Sequence, residues 1–486
     1  MITTDTSCNV ASLNVYSPTN SNPWDRQKVN HLYRRLGFGA TPEMVDSALN
    51  QNPSTLIDNL IDEALNLNPT PAPEWGYWTK EDFDARPELL GSYRIDWKNQ
   101  MVADMFQNNL RDRLTLFWSN HFVTEDVIYR SPAYMFQYFN LLQLHSLGNF
   151  KDFTSDIGLS SAMLIYLNGF ENIKDSPNEN YARELYELFT LGVDNGYTQN
   201  DIVETSRALT GWNKRELRLG PITFDRNKFD NNEKIIFGQE GNWDYYDVIR
   251  ILFEQRPTQI AKFICGKFYR YFISPAINED IVNQLAQTFL NNNFEIAPVL
   301  RQLFKSEHFF NEKSLGVVIK SPIDIQVNFF KELHVEMAPD YEFINIIRFG
   351  CTELGQELLS PVDVAGWQGD KDWISSGTIT IRWDRIRLFL FKAWDHNREQ
   401  FRMIAKSIVN GNSNDVELVS RSIMDNFLSK ELLSATEYSQ GLEIFKDQVP
   451  ENYFEDGTWN LDWNTAPRQV YRLLQFLITI PEFQLK

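Results

Sequence analysis

From about residue 85 to residue 168 the chain meets few helix breakers, and this limits its fold more than any other feature. The stretch reads as several long helices. Within it, "LRDRLTLFWSNHF" (110–122) sets Leu110, Leu114, Phe117, Trp118 and His121 on one helical stripe, so His121 is expected to point inward. Helical patterning begins at Trp24, with Val29, Leu32, Tyr33 and Leu36 at helical spacing. After the "GFG" turn, Thr41 is an expected N-cap and Pro42 a first helical residue. Further helices are expected at about 54–66, within 176–193, at about 199–210, from about 245 to 335, and from 379 onward. The fold class is therefore mainly α, a large multi-helix protein. A Pro- and Trp-rich loop is expected at 68–80 and another loop at 170–177.

Two segments break the pattern. Residues 211–244 are polar, with short β-prone runs at 222–224 and 235–237, and predict a small β-hairpin or Ω-like insertion around 215–240, a suitable place for a lid or binding loop. Residues 351–378 are irregular and end in "VAGWQGDKDWISSGT". A chain of 486 residues exceeds the usual size of one core. The expected organisation is an extended arm at 1–22, a helical region at 23–210, the insertion at 211–244 and a second helical region at 245–486. "LRQLFKSEHFF" (300–310) faintly echoes "LLQFLITIPEFQ" (473–484), which suggests duplicated helical caps rather than a solenoid.

The net charge of −19 argues against nucleic acid and anionic lipid as main partners, and it favours solubility. Aromatics are 14% of residues, with 35 Phe and 13 Trp; most are expected in the core, with an excess available to line a ligand surface. Cys8, Cys265 and Cys351 are too few and scattered for a disulfide framework, though they leave room for one bridge. The N-terminus carries no basic start followed by an apolar run, and no segment has the length of a membrane span. Taken as it stands the chain is expected in the cytoplasm; a trimmed mature protein would read the same.

The stretch "SPNENYARELYELFTLGV" (176–193) reads as one helix, with Ser176 as N-cap, Pro177 in the first position and Glu179 closing a capping box. Glu179, Arg183 and Glu187 form a surface ladder, each pair worth about 0.2–0.5 kcal/mol. Gly192 ends the helix. Glu184 lies at the margin of the apolar face, where a half-buried carboxylate would need an arginine, a histidine or a metal, so it is either a structural ion pair or a functional acid. His121 is either a satisfied core histidine or a base, with Asn120 placed to orient it. Arg34 and Arg35 are adjacent and at most one should face inward. The inward one could pair with Glu184, while surface arginines near a helix C-terminus are the plainer expectation. Trp212 and Trp367 each follow a glycine at a loop mouth and serve either as a lid or as a staple to the core. The histidines lack zinc spacing, and no nucleophile elbow, phosphate loop or dinucleotide fingerprint occurs, so no cofactor or metal is named.

"HLYRRLGFGATPE", "LRDRLTLFWSNHF", "NENYARELYELFTLGV", "ALTGW", "KSPIDI" and "VAGWQGDKDWI" together resemble the bacterial family known as domain of unknown function 1800, from about 28 to 484. The resemblance implies a mainly α-helical protein without an assigned reaction. Its members often carry export signals and are often paired with a protein of the phosphatase and sulfatase class. The family pattern Trp-His-Asn-His-Phe reads Trp118-Ser119-Asn120-His121-Phe122 here, and its His-Asp reads Phe229-Asp230. Two candidate ligands or bases are thus replaced, leaving His121, Asp230, Arg183 and Glu184.

These residues lead to an expected polar pocket in which His121, Glu184, Arg183 and Arg34 would act. Arg35, Asn180, Trp212, Asp230 and Trp367 would bind a glycan or another polar metabolite. The rival expectation is a non-catalytic assembly partner of the phosphatase- or sulfatase-like protein.

Overall fold

Thr41 accepts a hydrogen bond from the Met44 amide and Pro42 takes the first helical position, so the Pro42–Leu49 helix starts where its residues dictate. The same agreement between cap, period and element recurs along the chain. The computed structural model describes residues 12–107, 110–334, 341–432 and 434–486. Among them are twenty-four α-helices and one two-stranded antiparallel sheet, so the protein is mainly α. The sheet is a hairpin of Lys234–Ile236 with Gln239–Gly241, turned through Phe237 and Gly238, both at positive φ. The run at 222–224 does not join it. Thr223 makes only an isolated bridge to Lys214. No described helix is long and apolar enough to cross a membrane.

The Leu110–Ser119 helix is buried on every side, charges included. Trp118 anchors it, packed among Phe117, Phe122, Phe150, Phe153 and Phe268 and donating its indole N–H to the Ser146 carbonyl. Emptying such a position costs about 3–5 kcal/mol. Arg111 bonds Asp112 and the Asn68 carbonyl, and Asp112 accepts from Gln143, so two of its three charges are met locally. Around this axis one apolar cluster runs from Tyr16 to Phe483. Of the expected arm, residues 1–11 lie outside the described ones. Beyond them Val15 bridges Ser306, and the buried Tyr16 ring packs on Trp24 and Phe310.

Two local expectations are corrected. The capping box at Ser176 does not form: Ser176 bridges Ile173, and the helix starts only at Asn180. The Asn172 side chain accepts from the Asn178 amide and the Asn178 side chain from the Asn180 amide, which hold the entry as a turn. Arg34 and Arg35 are both buried, at 2% and 1% exposure. The Arg26–Leu36 helix is enclosed over most of its circumference, and the surface-helix rule assumes one buried face only. Cys265 and Cys351 are free and buried, and Cys8 lies outside the described residues.

Candidate functional site

The Leu110–Ser119 helix ends one residue before Asn120-His121, and this turn forms one wall of a cleft of about 440 Å3. The Pro257–Phe272 helix brings Lys267, Arg270 and Tyr271. The start of the Pro322–Leu333 helix brings Asp324, and Lys486 closes the floor. The irregular segment after the Tyr341–Glu353 helix supplies the last wall, with Trp367, Asp370 and Trp373.

That segment is held by a two-point clamp. The Asn120 amide group donates to the Trp367 carbonyl at 3.0 Å, and its oxygen accepts from the Trp367 N–H at 2.6 Å. Asn120 therefore positions the loop and does not orient His121. Gly366, at φ +80°, passes so close over Asn120 that a Cβ there would collide with it. Trp367 is 7% exposed, and its indole N–H has no hydrogen-bond partner among the described residues.

The opposite wall depends on an irregularity in the Glu-rich helix. Asn180–Glu184 is α-helical, but Leu185–Thr190 winds as a π-turn. The Leu191 and Gly192 N–H groups both return to the Tyr186 carbonyl. The Leu188 and Phe189 carbonyls turn outward and accept from Lys267 Nζ at 3.3 Å and from His121 Nε2 at 3.0 Å. A carbonyl oxygen can only accept, so His121 carries its proton on Nε2 and offers the Nδ1 lone pair. Lys267 Nζ donates to that atom at 2.9 Å. His121 is 3% exposed; burial first and the Lys267 charge second hold its pKa well below the usual histidine range, and it is neutral. Burial and the neighbouring Arg270 bring Lys267 down to about 8. A lysine poised there exchanges its proton near neutral pH, which an ordinary lysine does not.

Asp324 is the hub of the floor. It caps its own helix by accepting from Ser321, and it meets Arg113 at 2.5 Å and Lys486 at 2.5 Å. Burial pushes its carboxyl up, but Arg113 and Lys486 outweigh that and hold it well below the carboxylate range. Arg35, Lys320 and Arg382 lie buried nearby and bond main-chain carbonyls: Ser314 for Arg35, Phe483 for Lys320 and Lys320 for Arg382.

Of the residues singled out by sequence, Asn120, His121 and Trp367 line this cleft, and Arg35 lies behind its floor. The others stand elsewhere. Arg34 forms a buried two-point ion pair with Glu332, not with Glu184. Arg183 sits on the outer ladder with Glu179 and Glu187. Glu184 is half-buried without an ion pair among the described residues, and burial and Glu187 raise its pKa. Asn180 bonds Asn168, and Asp230 pairs with Arg207. Trp212 packs edge-on to Phe224 and Tyr245. Ser119, where the resembling family has histidine, turns its hydroxyl back to the Leu116 carbonyl.

Sequence reading missed Lys267, Arg270, Asp324 and Lys486. A signal existed for Lys267: it interrupts the apolar run "FICGKFYRYF", where a charge needs a reason. Among the described residues no group of three or more His, Cys, Asp or Glu is placed to hold a metal ion.

The model of the family described as "Protein of unknown function (DUF1800)" matches residues 31–485. No curated protein and no solved structure matches the chain.

Proposed function

The chain belongs to the DUF1800 family, and on that premise we propose that it is an enzyme acting on a small polar metabolite in the cleft between His121 and Trp367. Lys267 is the proton-exchanging group, and His121 is the side chain that positions it. The observation that carries this reading is the Lys267 Nζ to His121 Nδ1 hydrogen bond of 2.9 Å in the cleft wall. A half-buried lysine beside a neutral histidine of fixed tautomer has a reason to be there beyond packing. Two of its donor positions are taken, by His121 and the Leu188 carbonyl, and the third is left to point at a ligand.

The chemistry this supports is hydrolytic or group transfer. As an ammonium, Lys267 donates a proton to a leaving oxygen; as an amine, it takes one back. Arg34, Arg183 and Glu184 have no part in this reading. Glu332, the Glu179/Glu187 ladder and the helix margin account for their positions.

The test is a screen of polar metabolites for thermal stabilisation and turnover, run on wild type and Lys267→Met. A metabolite turned over by wild type should lose roughly 10²–10⁴-fold in kcat in the variant. His121→Gln, which keeps an acceptor in reach, should retain part of the rate. Unchanged turnover in Lys267→Met would refute the reading.

A further inference from the structure

We propose that the ligand of this cleft carries an oxyanion, such as a carboxylate, sulfonate or phosphoryl group, received between Lys267, Arg270 and Lys486. This deepens the proposed function and rests on it for the choice of cleft.

The Lys267 and Arg270 side of the cleft is rich in donors; the carboxylates of the lining are Asp324, held by Arg113 and Lys486, and Asp370 on the irregular segment. Lys267 and Arg270 have no carboxylate within ion-pair distance among the described residues, and the two contacts of Lys267 are neutral acceptors. Lys486 reaches Asp324, but Arg113 reaches the same carboxylate. Trp367, 7% exposed, lines the same cleft. A ligand that completes this wall must bring acceptors.

Charge behind the floor points the same way. Arg35, Arg113, Lys320, Arg382 and Lys486 are buried near Asp324, and the neighbouring Glu332 is engaged by Arg34. Arg35 Nε and Nη1 and Arg382 Nε lack hydrogen-bond partners among the described residues. Carbonyls satisfy donors but cancel no formal charge. In a poorly solvated interior an uncancelled charge acts over long range, so the floor is positive although the chain as a whole is −19. Burial first and Arg113 second hold Lys486 at about 7. The rest of the ligand is small, since about 440 Å3 lies near the lower end of ordinary small-molecule sites. Trp367 and Trp373 line the cleft beside it, so that part of the ligand is apolar or planar.

Calorimetry with benzenesulfonate and benzyl alcohol tests this, because the sulfonate keeps one charge at all working pH values. Wild type should bind benzenesulfonate at least about tenfold more tightly than benzyl alcohol at pH 6.5. Affinity should fall at pH 8.5. Lys486, faced by Arg113, Arg35, Asp324 and the Tyr271 ring, and Lys267, faced by Arg270 and His121, lose their protons as pH rises through about 7 and about 8. Lys486→Met should weaken the sulfonate alone. Should that variant unfold, Arg270→Gln, an exposed residue outside the buried network, should still cost roughly fivefold for the sulfonate and nothing for the alcohol. Equal binding of both probes would overturn the anion assignment and leave the enzyme reading standing. Binding of neither would remove both.

Discussion

At the scale of single residues, Asp324 is the most exacting position. Its carboxylate is shared by Arg113 and Lys486, so Asp324→Asn leaves two buried cations facing each other. Removing one partner of such a buried group costs about 3–5 kcal/mol, and urea denaturation at pH 7 should show a loss of that size. The sign with pH is fixed by the depressed carboxyl. Its contribution is complete above the unfolded value near 4 and disappears as pH falls through the folded one, so the deficit of the variant should shrink in acid. His121 was legible because its stripe of apolar neighbours faces inward, and it does. Arg34 was legible as a possible buried arginine, but its partner Glu332 lies 298 positions away, and no local pattern encodes that distance. Arg35 was misread for the reason given by its helix: neighbouring residues diverge, yet both directions lead into protein.

Elements explain what residues alone leave open. The helix at 180–190 has the expected ladder and the expected end at Gly192, but its π-turn is invisible in periodicity, since an added residue per turn shifts faces without changing composition. That turn aims the Leu188 and Phe189 carbonyls at the lysine and the histidine. The hairpin was legible in kind and in its first strand, while the short loop geometry that chose the second strand was not. The irregular segment 351–378 was legible as irregular; its clamp on Asn120 was not, because the contact spans 247 positions. Gly366→Ala puts a methyl into Asn120 at a positive φ and should free the loop. Limited proteolysis should then cut between 362 and 372 faster than in wild type by about tenfold, with the helices intact by circular dichroism. An unchanged cleavage rate would mean that the loop is held by its tryptophans alone.

At the scale of the whole molecule, two fields oppose each other. A chain with net charge −19 favours protonated lysines everywhere and should raise their pKa values. The cleft does the reverse at Lys267, through burial and Arg270, and this local inversion is what makes the site capable of proton exchange. Net charge was legible in the sequence. The concentration of opposite charge in the floor was not, because Arg35, Arg113, Lys320, Arg382 and Lys486 meet only once the helices are packed. The titration of Lys267 decides between the two fields. With lysine side chains isotopically labelled and the Lys267 resonance assigned by its loss in Lys267→Met, the amine should titrate near pH 8. A midpoint at or above the ordinary lysine value of 10.5 would show a solvated surface amine and contradict the account.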